Sequence, residues 1–136
     1  MNLDWPDVLP GFEQFLKKKN LVCLGRGTSP KYGEKFALYR DGNISVRVLS
    51  ERGQWFAELS DSAGSPDEWY DPAILRDLII GPGNDVLTFS EQLRTIENNW
   101  SAILESFSPD RREETHNKLA ILRHERAKRR FPGWEW

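Results

Sequence analysis

His116 and His124 are the two histidines of this chain, and they stand eight residues apart on one predicted helix. That spacing separates them by roughly 80° around the axis and about 12 Å along it, too far to share one metal ion. Glu113-Glu-Thr-His116 sets a carboxylate three residues before a histidine, as di-iron helical bundles do. Such bundles draw further ligands from other helices, and no second motif of this kind occurs. The two histidines therefore read as part of a solvated helical face, with no metal and no cofactor expected.

Other chemistry is equally short of a signature. No serine lies in a Gly-x-Ser-x-Gly elbow. Gly25-Arg-Gly27 and Gly81-Pro-Gly83 lack a following Gly-Lys-Ser/Thr, and Pro82 removes a backbone donor that a phosphate nest would use. Cys23, the single cysteine, sits in Leu21-Val-Cys-Leu with no basic neighbour, which predicts a buried, inert thiol. Asp67, Glu68 and Asp71 are carboxylates in and beside a loop, whereas paired acid–base carboxylates come from rigid elements facing a cleft. A small enzyme is the third-ranked reading.

Two surfaces remain. Arg123-His-Glu-Arg-Ala-Lys-Arg-Arg130 could neutralise phosphates through Arg123, Arg126, Lys128, Arg129 and Arg130. Glu125 interrupts it, and its aromatic neighbours Phe131, Trp134 and Trp136 lie in a Pro-Gly tail rather than on a stacking sheet. Cations in a last helical turn also suit the helix dipole without any ligand. The other surface joins Gln54-Trp-Phe-Ala-Glu-Leu to Asp67-Glu-Trp-Tyr-Asp, aromatics set among carboxylates. Strand alternation puts Trp55 on the dry sheet face with Ala57 and Leu59 and turns Phe56 to the other side with Arg47, Gln54 and Glu58. There Phe56 is either covered by a late helix or exposed as an anchor. Trp69 and Tyr70 precede a predicted helix cap, where they either staple the following turn near Leu75 or meet a partner.

The elements that must position these residues follow from period and punctuation. Val8 to Lys19 carries apolar residues at helical spacing, with Asp7 as N-cap and Pro10 near its start. Leu21–Leu24, Lys35–Arg40, Asn43–Ser50 and Gln54–Ser60 read as four strands. Asp41-Gly42 predicts a type I′ hairpin turn, and Arg52-Gly53 closes the next hairpin. Residues 61–67 read as loop, and Asp71-Pro72 starts a short helix that Gly81 stops. Ser90 then caps a long amphipathic helix with Leu93, Ile96, Trp100, Ile103, Leu104 and Phe107 on one stripe. A last helix starts at Ser108-Pro109-Asp110 and runs to about Arg130.

A chain of 136 residues suits one domain, residues 1–136, and 12% aromatic content with six tryptophans gives it a core. The fold expected is α+β: a four-stranded, mainly antiparallel sheet packed by an N-terminal helix and C-terminal helices. No run approaches the roughly 20 apolar residues of a membrane span. Met1-Asn-Leu-Asp-Trp-Pro-Asp lacks the basic and apolar regions of a signal peptide, so the cytoplasm is the expected compartment and no membrane partner is expected. The net charge of −2 divides unevenly, as residues 1–108 carry −5 and residues 109–136 carry +3.

Ile44-Ser-Val-Arg-Val-Leu-Ser-Glu-Arg-Gly-Gln-Trp-Phe-Ala-Glu-Leu, with Asp67-Glu-Trp-Tyr-Asp and Leu75-Arg-Asp-Leu-Ile, resembles a set of short uncharacterised bacterial proteins. Some of these look like immunity proteins of polymorphic-toxin systems, small acidic antidotes that bind and block one toxin. The resemblance covers about residues 35 to 107 and implies a protein partner, a basic toxin domain. On that reading Asp61, Asp67, Glu68 and Asp71 steer the partner, and Phe56, Trp69 or Tyr70 anchor it. A nucleic-acid-associated regulator using the basic helix is the alternative.

Overall fold

Alternating β-branched and polar residues, punctuated by tight turns, build the centre of this chain. The computed structural model describes residues 5–28 and 34–134. Residues 1–4 of the N-terminal reading and Trp136 of the aromatic tail lie outside them. Helix α1 (Leu9–Lys18) leads into strands β1 (Val22–Thr28), β2 (Lys35–Arg40), β3 (Ile44–Glu51), β4 (Gln54–Asp61) and β5 (Ser65–Tyr70). Helices α2 (Pro72–Ile79), α3 (Phe89–Asn98), α4 (Trp100–Ser106) and α5 (Arg112–Arg130) follow. The sheet is a meander in sequence order, antiparallel throughout.

The α+β class and the helix-backed sheet are as the sequence predicts, but the sheet has five strands rather than four. The segment read as loop contributes β5, with Pro66, Asp67 and Glu68 inside it. Strands disfavour those residues, yet an edge strand tolerates them because half its backbone groups need no partner strand. Strand β1 also runs further than expected, through Gly25 and Gly27, over which the Phe36 ring lies. Cys23 on that edge strand is exposed, not buried.

The turns differ in the same instructive way. Arg52 and Gly53 both adopt positive φ, 52° and 80°, the type I′ conformation that matches strand twist. At Asp41-Gly42 the glycine keeps negative φ. The Asp41 carboxylate instead accepts from the Asn43 and Ile44 amides, both at 2.7 Å, so an Asx turn replaces the expected I′ turn.

Helix starts follow local capping chemistry. Asp71 caps α2 as expected, accepting from the Ile74 amide at 3.0 Å. Helix α1 is preceded by Val8 without a side-chain cap, so Asp7 has no such role. Thr88 rather than Ser90 caps α3, in a capping box with Glu91. The long amphipathic helix is broken at Asn99, whose side chain donates to the Thr95 carbonyl at 2.8 Å. Its stripe survives the break: Leu93, Ile96, Trp100, Ile103 and Phe107 are buried, while Leu104 is exposed. The last helix begins at Arg112, after a turn in which the Ser108 carbonyl accepts from the Arg111 and Arg112 amides.

Residues paired across an antiparallel sheet share a face. Ala37, Tyr39, Ile44, Val46, Val48, Ala57, Leu59 and Tyr70 fall on one face and join Leu9, Phe12, Leu16, Ile74, Leu75, Leu93, Ile96 and Leu119 of the helices in one core. Trp55 lies on this face, between the rings of Trp5 at 5.1 Å and Phe89 at 6.1 Å.

Candidate functional site

The other face of the sheet contributes nothing to that core. Its rows can be read from the strand register. Phe36, Leu49 and Phe56 stand opposite one another across β2, β3 and β4. Leu38, Arg47 and Glu58 form the next row, and Arg40, Ser45, Ser60 and Trp69 the next. Phe36 is 44% exposed, and Leu49, Phe56 and Trp69 are half-buried and lie outside the core cluster. Arg47 is held by Glu58 at 2.8 Å and lays its guanidinium over the Trp69 ring at 4.1 Å from the centroid. The face therefore presents aromatic and aliphatic surface beside a charge pair.

The row ends in a groove. A cavity of about 390 Å³ lies between the Phe56 end of the sheet, the start of α2, residues 85–87 and the last turns of α5. Leu49, Phe56, Pro72, Val86 and Leu87 are its apolar walls, and Glu51, Glu58, Asp71, Asp85, Arg126 and Arg130 line it as well. It exists because β5 is short: β5 pairs with β4 only over Leu59–Asp61, so Gln54–Glu58 have no strand neighbour on that side. A side chain takes the strand's place. The Gln92 amide accepts from the Ala57 N–H at 2.9 Å and donates to the Leu87 carbonyl at 3.1 Å.

Behind the sheet, helix α5 is fastened by charge. Asp61 is 0% exposed. Its Oδ2 accepts from Arg112 Nε at 2.6 Å and lies 3.1 Å from His116 Nε2, while Oδ1 accepts from the Gly64 amide at 3.1 Å. His116 Nδ1 lies 2.7 Å from the Tyr70 hydroxyl. A neutral His116 protonated on Nε2 satisfies all three groups, donating to Asp61 and accepting from Tyr70. Burial, with Glu68 and Asp61 adding to it and Arg123 opposing it, pushes the Tyr70 hydroxyl above its ordinary pKa. Asp61 and Tyr70 are both buried, with His116 between them. The network does the work of a fastener: it satisfies a buried carboxylate and docks α5.

The basic stretch completes the fastening. Arg123 pairs with Glu68 at 2.9 Å, donates to the Trp69 carbonyl and lies over the Tyr70 ring. Arg126 grips Asp71 through two hydrogen bonds of 3.0 and 2.7 Å, and Arg129 reaches Asp85 at 3.4 Å. Burial pushes the Asp71 carboxyl up, but the Arg126 hydrogen bond, the Ile74 amide and the charges of Arg126 and Arg123 outweigh it and hold the pKa below its ordinary value. The Asp71 hydrogen bond in turn raises Arg126.

The seven residues singled out from the sequence are thus divided. Phe56 and Trp69 share the open face, and Asp67 is exposed next to Trp69 on β5. Glu68 and Asp71 are bound to arginines of α5. Asp61 and Tyr70 are interior, so neither presents a surface to a partner in the folded chain. Phe36 and Leu49 belong to the open face and were not singled out, although strand pairing puts them in line with Phe56. Among the described residues no group of three or more His, Cys, Asp or Glu side chains is placed to hold a metal ion, and no helix is long and apolar enough to cross a membrane. Family models give no match to the chain, and neither do curated proteins or solved structures.

Proposed function

We propose that this chain is a non-enzymatic binding module that holds a protein partner against its open sheet face, most concretely as an antidote that occludes a basic toxin domain. The row Phe36, Leu49 and Phe56 carries this reading: three apolar side chains aligned across three strands, on the face opposite the core. A soluble domain that leaves such a row uncovered has surface suited to a partner. Arg47 and Trp69 extend it with the guanidinium and indole groups that dominate binding hot spots. Exposed Asp67 and Glu51 at its margins favour a cationic partner.

Against the nucleic-acid reading, Arg123, Arg126 and Arg129 pair with the protein's own carboxylates, leaving Lys128 and Arg130 as its remaining cations. The test partner on this reading is a basic toxin domain, sought among the products of the neighbouring genes. Phe56→Ala should raise the dissociation rate by about thirtyfold, which is about 2 kcal/mol of a hot-spot anchor. Asp67→Asn should mainly slow association. Equal kinetics for Phe56→Ala and wild type would remove the sheet face from the site.

A further inference from the structure

We infer that the groove at the end of the open row receives one aromatic side chain of the partner, stacked on the Arg126 guanidinium. The inference rests on the protein-binding reading and deepens it, because it names the kind of residue the partner must supply. Its first support is continuity. Leu49 and Phe56 belong both to the row across β2, β3 and β4 and to the wall of the groove, so a partner lying on the row meets the groove at its end. The anchors that dominate binding fill pockets of this kind, while the flatter surface around them excludes water.

Size and charge narrow the occupant. At about 390 Å³ the groove is at the small end of the roughly 300–1,000 Å³ of cavities that enclose ligands, room for a single side chain rather than for a helix. Its lining charges are neutralised within the fold: Arg47 pairs with Glu58, Arg126 with Asp71 and Arg129 with Asp85, which leaves Glu51 and Arg130, one of each sign. No ion is selected. The remaining walls, Leu49, Phe56, Pro72, Val86 and Leu87, favour an uncharged apolar group.

Arg126 distinguishes an aromatic ring from an aliphatic group. At three places in this chain a carboxylate-paired arginine lies over a ring: Arg26, paired with Glu13, is 4.2 Å from the Trp5 centroid, Arg47, paired with Glu58, is 4.1 Å from Trp69, and Arg123, paired with Glu68, is 4.4 Å from Tyr70. In each, the carboxylate fixes the guanidinium and a π-face covers it. Arg126 is fixed in the same manner by Asp71, through bonds of 3.0 and 2.7 Å, yet it lines the groove, and among the described residues no ring of the chain lies over it. An aromatic side chain of the partner completes the arrangement.

The test uses the full chain labelled with nitrogen-15 and N-acetyl-phenylalaninamide as the probe, with N-acetyl-cyclohexylalaninamide as a control of nearly the same size but without π electrons. The aromatic probe should shift the Leu87 backbone amide and the Gln92 side-chain amide at millimolar concentration, and the cyclohexyl control should bind about threefold more weakly. Val86→Asp, at a 74% exposed position, leaves the core intact and should weaken the probe at least about fivefold by charging the apolar wall. A cyclohexyl control that binds as tightly or more so, a probe indifferent to Val86→Asp, or no shift in those amides would each overturn the inference. If the probe fails while a basic toxin domain still responds to Phe36→Ala, in the row but outside the groove, the groove falls and the open-face reading stands. A toxin domain that ignores both Phe36→Ala and Phe56→Ala sinks the open-face reading, and this inference with it.

Discussion

Arg112→Ala removes one partner of a carboxylate that cannot reach water. Asp61 is 0% exposed, and Arg112 is its shortest contact at 2.6 Å. After the substitution, His116 and the Gly64 amide are left to satisfy Asp61, each at 3.1 Å. Breaking a buried pair in this way costs about 3–5 kcal/mol, because the desolvation of the remaining charge is no longer offset. At roughly 3–5 °C per kcal/mol for a domain of this size, the melting temperature should fall by on the order of 10–20 °C. Asp61→Ala should cost less, since Arg112 is a quarter exposed and can turn to solvent. The informative measurement is the double-mutant cycle by urea unfolding. Arg112→Ala in an Asp61→Ala background removes a partner that no longer has a charge to satisfy, so the pair should couple by about 2 kcal/mol or more. Single-mutant costs that add to within about 0.5 kcal/mol would refute the assignment of Arg112 and Asp61 to one network.

Trp100, buried in the core and edge-on to Phe15 at 5.5 Å, should cost about 3–5 kcal/mol when replaced by alanine, and an unchanged melting temperature would reject its place in the stripe. Asp71 has a folded pKa held below its ordinary 3.8, so its contribution is fully present above that value and is lost as pH falls through the lowered one. The stability gap between wild type and Asp71→Ala, about 1–2 kcal/mol from the helix cap, should be constant near neutrality and shrink in acid; a gap that widens in acid reverses the sign. Duplex DNA at low salt should show no micromolar binding, and a salt-dependent shift would restore the basic helix as a nucleic-acid surface.

The hairpins, the apolar face and the stripe from Leu93 to Phe107 were legible because each repeats a period. Strand β5 was not, since Pro66, Asp67 and Glu68 mask an edge strand whose main support is pairing with β4. The Asx turn at Asp41 and the Thr88 cap show single side chains overriding pattern. The open face was half legible: alternation turned Phe56 outward, but only register aligns Phe36 and Leu49 with it. The contacts of His116 escape hydrophobic periodicity because they lie on a polar stripe. The signal was present in Arg112, His116, Leu119, Arg123 and Arg126, which recur at helical spacing along one side of α5. Their acidic partners lie 51 to 55 residues away in sequence, beyond any local pattern.

Helix α5 buries only Thr115 and Leu119, so the charged contacts to Asp61, Glu68, Asp71 and Asp85 carry much of its attachment. Exposed members of such a seam weaken as ionic strength rises, whereas the apolar contacts of α1 do not. Rising ionic strength should therefore loosen α5 before it loosens the sheet. Salt should quicken amide hydrogen exchange along α5 while leaving β3 protected.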